Sequence, residues 1–442
     1  MSVKVGLVSH GCSKNLVDSE HMLYKIKQKG FKIVKEPGLS DVVVVNTCGF
    51  IRDSKEEAIE TIIELGKLKA EGRIKKIIVT GCLAERYRDE MAQQFPEADA
   101  VVGLGDQERI PDIIEEVMGG KQVLSFDSKD KLEITGDRII STLPFFSYLK
   151  IAEGCDNCCT YCAIPSIRGR YRSAKKEDIV KEAEHLAQNG VTELVLIAQD
   201  TTRYGEDLYG KSALPELLTE LCRIDKLHWI RVLYCYPERM TDELIDVIAK
   251  EEKIVKYLDI PIQHCDDDVL KRMNRKSTEA ELRELMSKLR ERIPGITLRT
   301  TLITGFPGET EEQFERLASF VKDTEFDRLG CFVYSQEEGT PAAEFEDQID
   351  DDIRAHRCDI IMEQQQLISE RLNSKKLGKI LEAVVEGYDK YAGCYFGRTA
   401  ADAPDIDGKV FFSSKRQLSV GEYVDIEITE TLDYDLIGEV TE

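Results

Sequence analysis

The chain has 442 residues, enough for two or three domains, and its 42% hydrophobic content is typical of globular proteins. Its 60 Lys and Arg against 83 Asp and Glu give a net charge of −23, so we expect a basic partner and repulsion of nucleic acid outside any local basic patch. The N-terminus lacks the layout of a signal peptide, and no run approaches the ~20 apolar residues of a membrane span. We therefore expect a cytoplasmic protein without a membrane partner.

The N-terminal segment alternates short β-rich runs with helical ones, which predicts an open parallel α/β sheet of the flavodoxin-like kind. Crossover helices are predicted at 16–29, 54–70, 84–94 and 110–117. Each of three predicted strands leads into a cysteine: 4–9 into Cys12, 41–45 into Cys48 and 76–80 into Cys82. The carboxyl ends of parallel strands meet at one edge of a sheet, so the three thiols are expected to converge and to hold a metal cluster. The alternative is that each cysteine is a small buried residue at a strand end.

Neither the helical nor the strand periodicity of hydrophobic residues continues through Gly119, Gly120 and the charged run 127–137. This predicts a connector. A new domain is predicted to begin near Phe145.

The segment GCDNCCTYCAIP at 154–165 holds four of the thirteen cysteines. Cys155, Cys159 and Cys162 have C-x3-C-x2-C spacing, which lets one loop wrap three thiolates around an iron-sulfur cube and leave one iron without a protein ligand. A triad that uses Cys158 instead has a spacing not expected of a ferredoxin. Zinc is disfavoured because its motifs usually come as two separated C-x2-C pairs. The remaining alternative is a loop of buried or disulfide-linked cysteines.

Six βα-like units follow, which predicts a central partial (βα)6 barrel. Its strands are predicted at 146–152, 193–199, 229–236, 256–262, 297–303 and 328–334. Polar and glycine-rich segments follow five of them, at 199–202, 234–238, 261–264, 304–309 and 335–341. One such segment could be an ordinary solvated loop, but five at equivalent positions favour a ligand-binding face. Gly305 and Gly308 permit close approach of the backbone to a nucleoside-sized cofactor.

A long charged helix is predicted at 350–376. Five short β-runs follow it and predict a small five-stranded β-barrel of the oligonucleotide-binding (OB-like) kind, at 381–388, 394–399, 409–412, 423–429 and 436–441. From Asn373 to the C-terminus, eight Lys or Arg against fourteen Asp or Glu give a net charge of −6. An RNA-binding module should be basic, so this barrel is predicted to hold a basic protein.

This order of parts resembles the radical S-adenosylmethionine methylthiotransferases over essentially the whole chain. Five segments resemble the RimO type within that family: LIAQDTTRYG from Leu196, LDIPIQH from Leu258, TGFPGET from Thr304, YSQEEGT from Tyr334 and GRTAADAPDIDG from Gly397. The resemblance implies a methylthiotransferase N-terminal domain at 1–118, a radical S-adenosylmethionine core at 140–374 and a TRAM domain at 376–442.

The resemblance implies two 4Fe-4S clusters and S-adenosylmethionine as cofactors. Cys155, Cys159 and Cys162 would hold the catalytic cluster, whose open iron binds S-adenosylmethionine and sends one electron into it. A second cluster, the source of sulfur, would be held by Cys12, Cys48 and Cys82. The nucleoside or methionyl moiety is expected near Gln199, Asp200, Gly305 and Glu309. Cys158 is an extra thiol to which no role is carried over.

RimO-type enzymes modify an aspartate of small-subunit ribosomal protein twelve, so the implied reaction inserts a methylthio group at C3 of that residue. It would use two molecules of S-adenosylmethionine and an electron donor. The implied partner is that basic ribosomal protein, free or within the ribosome. One alternative is the relative that modifies an adenosine of transfer RNA, which would need a basic groove. Another is a non-catalytic iron-sulfur carrier, which would have little use for nucleoside-sized loops on a barrel face.

Overall fold

The computed structural model, which describes residues 2–441, contains two six-stranded sheets, a closed five-stranded barrel and one short two-stranded sheet. Both six-stranded sheets are parallel throughout. The predicted fold class is therefore confirmed. None of the helices within residues 2–441 combines the length and the apolar composition needed to cross a membrane.

The N-terminal sheet has the strand order β2-β1-β3-β4-β5-β6. Its strands are β1 Lys4–Ser9, β2 Lys32–Ile33, β3 Val42–Thr47, β4 Lys76–Gly81, β5 Ala100–Val102 and β6 Val123–Ser125. Its helices are α1 Ser13–Gln28, α2 Arg52–Ala70, α3 Cys82–Gln94 and α4 Ile110–Met118. Every residue of β3 is buried, as expected for a strand covered by helices on both faces. The sheet continues past residue 118, because β6 lies just before the charged part of the predicted connector.

The core sheet has the order β14-β13-β12-β11-β10-β7, and its two edge strands do not pair with each other, so the barrel is partial. Its strands are β7 Phe146–Lys150, β10 Glu193–Ile197, β11 Trp229–Val232, β12 Ile254–Asp259, β13 Thr297–Thr304 and β14 Arg328–Val333, with β8 Ala152–Glu153 and β9 Arg172–Ser173 forming the short antiparallel pair. The helices are α5 Ile164–Arg168, α6 Lys176–Gln188, α7 Glu206–Tyr209, α8 Leu214–Cys222, α9 Asp242–Lys250, α10 Asp267–Arg272, α11 Glu279–Arg292, α12 Glu311–Thr324 and α13 Asp351–Ser374. Thr278 and Thr310 form capping boxes at the starts of α11 and α12, where each hydroxyl accepts from a backbone N–H three residues later.

The terminal barrel is closed in the order β15-β16-β17-β19-β18. Its strands are β15 Ile380–Asp389, β16 Cys394–Thr399, β17 Val410–Ser413, β18 Tyr423–Thr431 and β19 Leu436–Val440. The loop between β16 and β17, residues 400–409, which we call the floor loop, contacts side chains of the core strands. There Arg231 donates to the carbonyl of Ala400 at 2.9 Å, and Tyr257 donates to Asp407 at 2.6 Å.

The interior of the core barrel is filled from both neighbouring domains. Val17 of α1 and Ala403 of the floor loop belong to one buried apolar cluster with the inward-facing core residues Tyr148, Val195 and Tyr257. The N-terminal domain thus inserts the start of α1 into the barrel, while the terminal domain closes the opposite end. This packing leaves the carboxyl ends of the core strands facing the N-terminal cysteines.

Candidate active site

The core cysteine loop follows β8 and is fixed by backbone contacts on both sides. The Cys155 N–H donates to the carbonyl of Gly169 at 3.1 Å, and the Thr160 N–H donates to the carbonyl of Met273, also at 3.1 Å. Gly154 has φ +78°, and a Cβ there would lie 2.1 Å from the carbonyl oxygen of Arg170. Only glycine therefore fits at the start of the loop.

Two of the core thiols are buried beside aromatic and cationic side chains. Cys155 and Cys159 are almost inaccessible, and the Tyr236 hydroxyl lies 3.5 Å from the Cys159 sulfur. The Arg275 guanidinium stacks on the Tyr236 ring, 4.2 Å from its centroid. Burial raises the pKa of Cys155 to about 11, so without a metal this thiol is neutral. A coordinated thiol is deprotonated outright, and Arg275 is placed to balance that charge.

The three N-terminal cysteines converge through close backbone contacts. A Cβ on Gly11 would lie 2.6 Å from Cys48 Cβ, and a Cβ on Gly49 would lie 2.7 Å from the backbone of Leu83, directly after Cys82. The connection after β1 therefore packs on Cys48, and the connection after β3 packs on the start of α3. The structure brings Cys12, Cys48 and Cys82 to one edge of the sheet, as the strand pattern predicts.

The N-terminal triad has a buried guanidinium as its neighbour. Burial raises the pKa of Cys82 to about 12, while Arg168, at the end of α5, opposes this shift by its charge and by a hydrogen bond to the sulfur. The pKa of Cys48 is raised by burial and by the neighbouring Cys12. Arg168 belongs to the core domain, so one side chain contacts the N-terminal triad from the segment that follows the core cysteine loop.

Arg168 is part of a fully buried ionic group that we call the bridging cluster: Asp18, Lys150, Glu153 and Arg168. Arg168 donates to Glu153 at 2.9 Å and lies 3.0 Å from Asp18. Lys150 contacts both carboxylates, at 3.1 Å from Glu153. These two cations hold the pKa of Glu153 down at about 2 despite its burial. Asp18 comes from α1 and Glu153 directly precedes the core cysteine loop, so the cluster ties the two triads to each other.

Both triads fit a 4Fe-4S cluster. All thirteen cysteines are free, and each triad gathers three thiols beside a buried guanidinium. Nowhere between residues 2 and 441 do three His, Cys, Asp or Glu side chains converge on a point that one ion could occupy. Three neighbouring thiols are the protein ligands that a 4Fe-4S cluster with one open iron takes.

Two of the residues predicted near S-adenosylmethionine lie just beyond β10, beside the core loop. Gln199 donates from Nε2 to Glu153 at 2.7 Å, and its buried Oε1 has no hydrogen-bond partner in the described part of the chain. The Asp200 carboxylate accepts from Asn157 of the cysteine loop at 2.8 Å and from Arg239 at 3.1 Å. Gln199 thus retains a free acceptor, whereas Asp200 holds the loop in place.

The other two, Gly305 and Glu309, lie after β13 and pack against α13. The Glu309 carboxylate accepts from the Gly305 N–H and lies 3.2 Å from Arg357 and 3.3 Å from His264. A Cβ on Gly305 would lie 2.2 Å from Arg354 Cγ. Both Glu309 oxygen atoms therefore have protein partners, and Gly305 is required for the close approach of α13.

Sequence reasoning missed several side chains of the site: Lys14, Asn157, Arg168, Tyr236 and Arg275. Two signals were available. Lys14 is a charged residue two positions after Cys12, and Arg168 ends the otherwise uncharged run AIPSIR after Cys162. Tyr236 lies in the segment 234–238, which the sequence assigns to the ligand-binding face, whereas Arg275 carried no local signal, because only the fold places it beside Tyr236.

Comparison with known proteins gives three family matches in the order of the domains. Residues 4–103 match the Uncharacterized protein family UPF0004, residues 149–321 match the Radical SAM superfamily, and residues 377–441 match the TRAM domain. A protein of Thermoanaerobacter sp. (strain X514) is 50% identical over 98% of this chain and 99% of its own length. A protein of Lachnoclostridium phytofermentans is 51% identical over 99% of each. Both are named "Ribosomal protein uS12 methylthiotransferase RimO".

The chain belongs to the RimO family of radical S-adenosylmethionine methylthiotransferases. The resemblance inferred from the motifs is confirmed, as is the expectation of a transferase. Membership in the RimO family implies a 4Fe-4S cluster and S-adenosylmethionine.

A solved structure supports the fold alone. The radical S-adenosylmethionine methyltransferase TsrM from Kitasatospora setae, with cobalamin and a [4Fe-4S] cluster bound, superimposes with a TM-score of 0.56 at 13% identity, covering 86% of this chain and 81% of that one.

Proposed function

We propose that this enzyme inserts a methylthio group at C3 of an aspartate of small-subunit ribosomal protein twelve. The observation that carries the proposal is the bridging cluster, because it joins one cysteine triad to the other at a single site. The full-length relatives named for methylthio transfer to protein uS12 support the same reaction.

In this proposal each triad holds one 4Fe-4S cluster, giving two per chain. When bound, the core cluster supplies the electron that cleaves S-adenosylmethionine, and the N-terminal cluster supplies sulfur. The ligands are Cys155, Cys159 and Cys162 for the first and Cys12, Cys48 and Cys82 for the second. Among the neighbouring residues, Gln199 offers its free acceptor to S-adenosylmethionine. Asp200 positions the cysteine loop through Asn157, and Gly305 and Glu309 shape the turn at the same face.

A basic protein substrate is supported by the outer surface of the terminal barrel. Exposed acidic residues oppose each other across its strands: Glu382 pairs in register with Asp425, and Glu427 with Glu439. Like charges directly opposite in a sheet are destabilising, so this surface favours a cationic partner and repels phosphate. We propose that this acidic face docks the ribosomal protein, free or in the ribosome, in the cytoplasm. The reaction also needs an electron donor.

The decisive experiment compares ribosomal protein twelve and transfer RNA from cells with and without this gene. Mass spectrometry is expected to find the methylthio group missing from the aspartate of the ribosomal protein, while methylthio adenosine in transfer RNA is unchanged. Loss of the transfer RNA modification with an intact protein modification would instead assign the enzyme to transfer RNA. Loss of neither would favour an iron-sulfur carrier.

A further inference from the structure

Lys14, in the first turn of α1, is a buried cation without a counter-ion. It is 6% exposed, and no carboxylate in residues 2–441 lies within ion-pair distance of its ammonium. Its contact is with the ring of Tyr234, 3.0 Å from the centroid. Lys150 shows the usual arrangement of a buried lysine, because it is fully buried and contacts two carboxylates. Buried lysines are rarely unpaired in proteins, so an anion brought by a ligand would suit the position of Lys14.

The position of Lys14 is between the two cysteine triads. It follows Cys12 by two residues, and the ring it contacts belongs to Tyr234, two residues before Tyr236, whose hydroxyl touches Cys159. A short segment after β11 thus contacts the ammonium at one end and a core cluster ligand at the other.

The Tyr234 ring is held in place at a conformational cost. Tyr234 has φ +62°, a value that L residues other than glycine rarely adopt. Its N–H donates to Asp259 at 3.0 Å, and its carbonyl accepts from the Thr201 N–H, also at 3.0 Å. An aromatic face attracts a cation more weakly than a carboxylate does, so the ring can hold the ammonium in the free enzyme and release it to an anion.

We propose that Lys14 binds the side-chain carboxylate of the substrate aspartate and thereby selects aspartate. This inference rests on the proposed function. The carboxylate carbon is bonded to C3, so a cation that fixes the carboxylate also fixes the carbon that receives sulfur. The other cations of the site are engaged: Arg168 by two carboxylates, and Arg275 by the Pro261 carbonyl and the Tyr236 ring.

The test uses the reconstituted full-length enzyme and purified ribosomal protein twelve carrying either Asp or Asn at the modified position. Lys14→Met is expected to keep its iron and its reductive cleavage of S-adenosylmethionine, and to raise the KM for the Asp substrate roughly ten- to hundredfold, the range of a lost charge-assisted hydrogen bond. Its preference for Asp over Asn is expected to fall by a similar factor. Lys14→Arg, which keeps the charge, should retain part of that preference.

Lys25→Met is the matched control. Lys25 lies on the same helix, but its ammonium pairs with Glu133 at a distance of 2.6 Å, and this ion pair lies away from the triads. It is expected to behave as the parent enzyme. An unchanged Asp-to-Asn preference in Lys14→Met would overturn the role of Lys14 while leaving the proposed function intact. A parent enzyme that cleaves S-adenosylmethionine but never modifies the ribosomal protein would overturn both.

Discussion

The two cysteine triads are built in different ways. The core triad comes from one loop of eight residues, held by its own backbone hydrogen bonds and by Asp200 through Asn157. The N-terminal triad comes from three strand ends and exists only when the parallel sheet is formed. Each has a buried guanidinium, but Arg275 lies in the same domain as its triad, whereas Arg168 reaches across from the core. The N-terminal site therefore depends on the domain interface, and the core site does not.

The largest effects are expected from substituting cysteines, and they should differ between the two triads in the reaction step that is lost. Cys159→Ala is expected to abolish reductive cleavage of S-adenosylmethionine, because that cluster loses a ligand. Cys12→Ala is expected to leave cleavage intact and to stop sulfur insertion. Chromatography measures the cleavage of S-adenosylmethionine, and mass spectrometry measures the methylthio product. Methylthio product from Cys12→Ala, or retained cleavage in Cys159→Ala, would show that the sites are assigned wrongly.

A smaller effect is expected when the link between the triads is cut. Arg168→Met leaves Asp18 and Glu153 with one buried cation between them, and losing one partner of a buried ion pair costs about 3–5 kcal/mol. The urea midpoint should fall, and iron should be lost from the N-terminal site before the core site, as followed by iron analysis and spectroscopy. Arg52→Met, which removes an exposed ion pair with Glu56, is the control and should change neither. Equal iron loss from both sites would contradict the dependence on the interface.

The smallest effect is expected at Cys158. This residue is exposed with φ +50°, and the structure uses its carbonyl, which accepts from Asn274 at 2.9 Å. Cys158→Ala is therefore expected to keep the iron content of the parent and its cleavage activity. Loss of half the iron in this variant would mean that Cys158 is a cluster ligand.

Short-range sequence patterns predicted those strands and helices whose formation depends on neighbouring residues in the chain. The strand ends that carry Cys12, Cys48 and Cys82 follow from such short-range rules. The strands β2, β5 and β6 were missed because each has two or three residues, too few to show a period. The bridging cluster was missed for another reason, since its four residues come from separate elements and meet only in the folded chain.

The residues predicted to lie near S-adenosylmethionine show the same limit. The glycine-rich turn at Gly305 was visible as a break in pattern, but its neighbours in the structure are Arg354 and Glu309. From the sequence, the backbone at Gly305 is expected to approach a nucleoside-sized cofactor. Its close neighbour within the chain is Arg354 of α13, which the sequence did not predict because the packing of α13 sets it.

Through the floor loop, the terminal barrel is integrated into the core domain and is not an independent domain. Arg398 of β16 pairs with Glu193 at the start of β10, and Asp402 of the floor loop pairs with Arg328 at the start of β14. A chain truncated before β15 would keep the core cations and carboxylates but lose their partners, leaving unmatched charges in an opened interior. Such a truncation would therefore yield a misfolded chain, and the acidic face is better probed by charge reversal on its surface than by deletion.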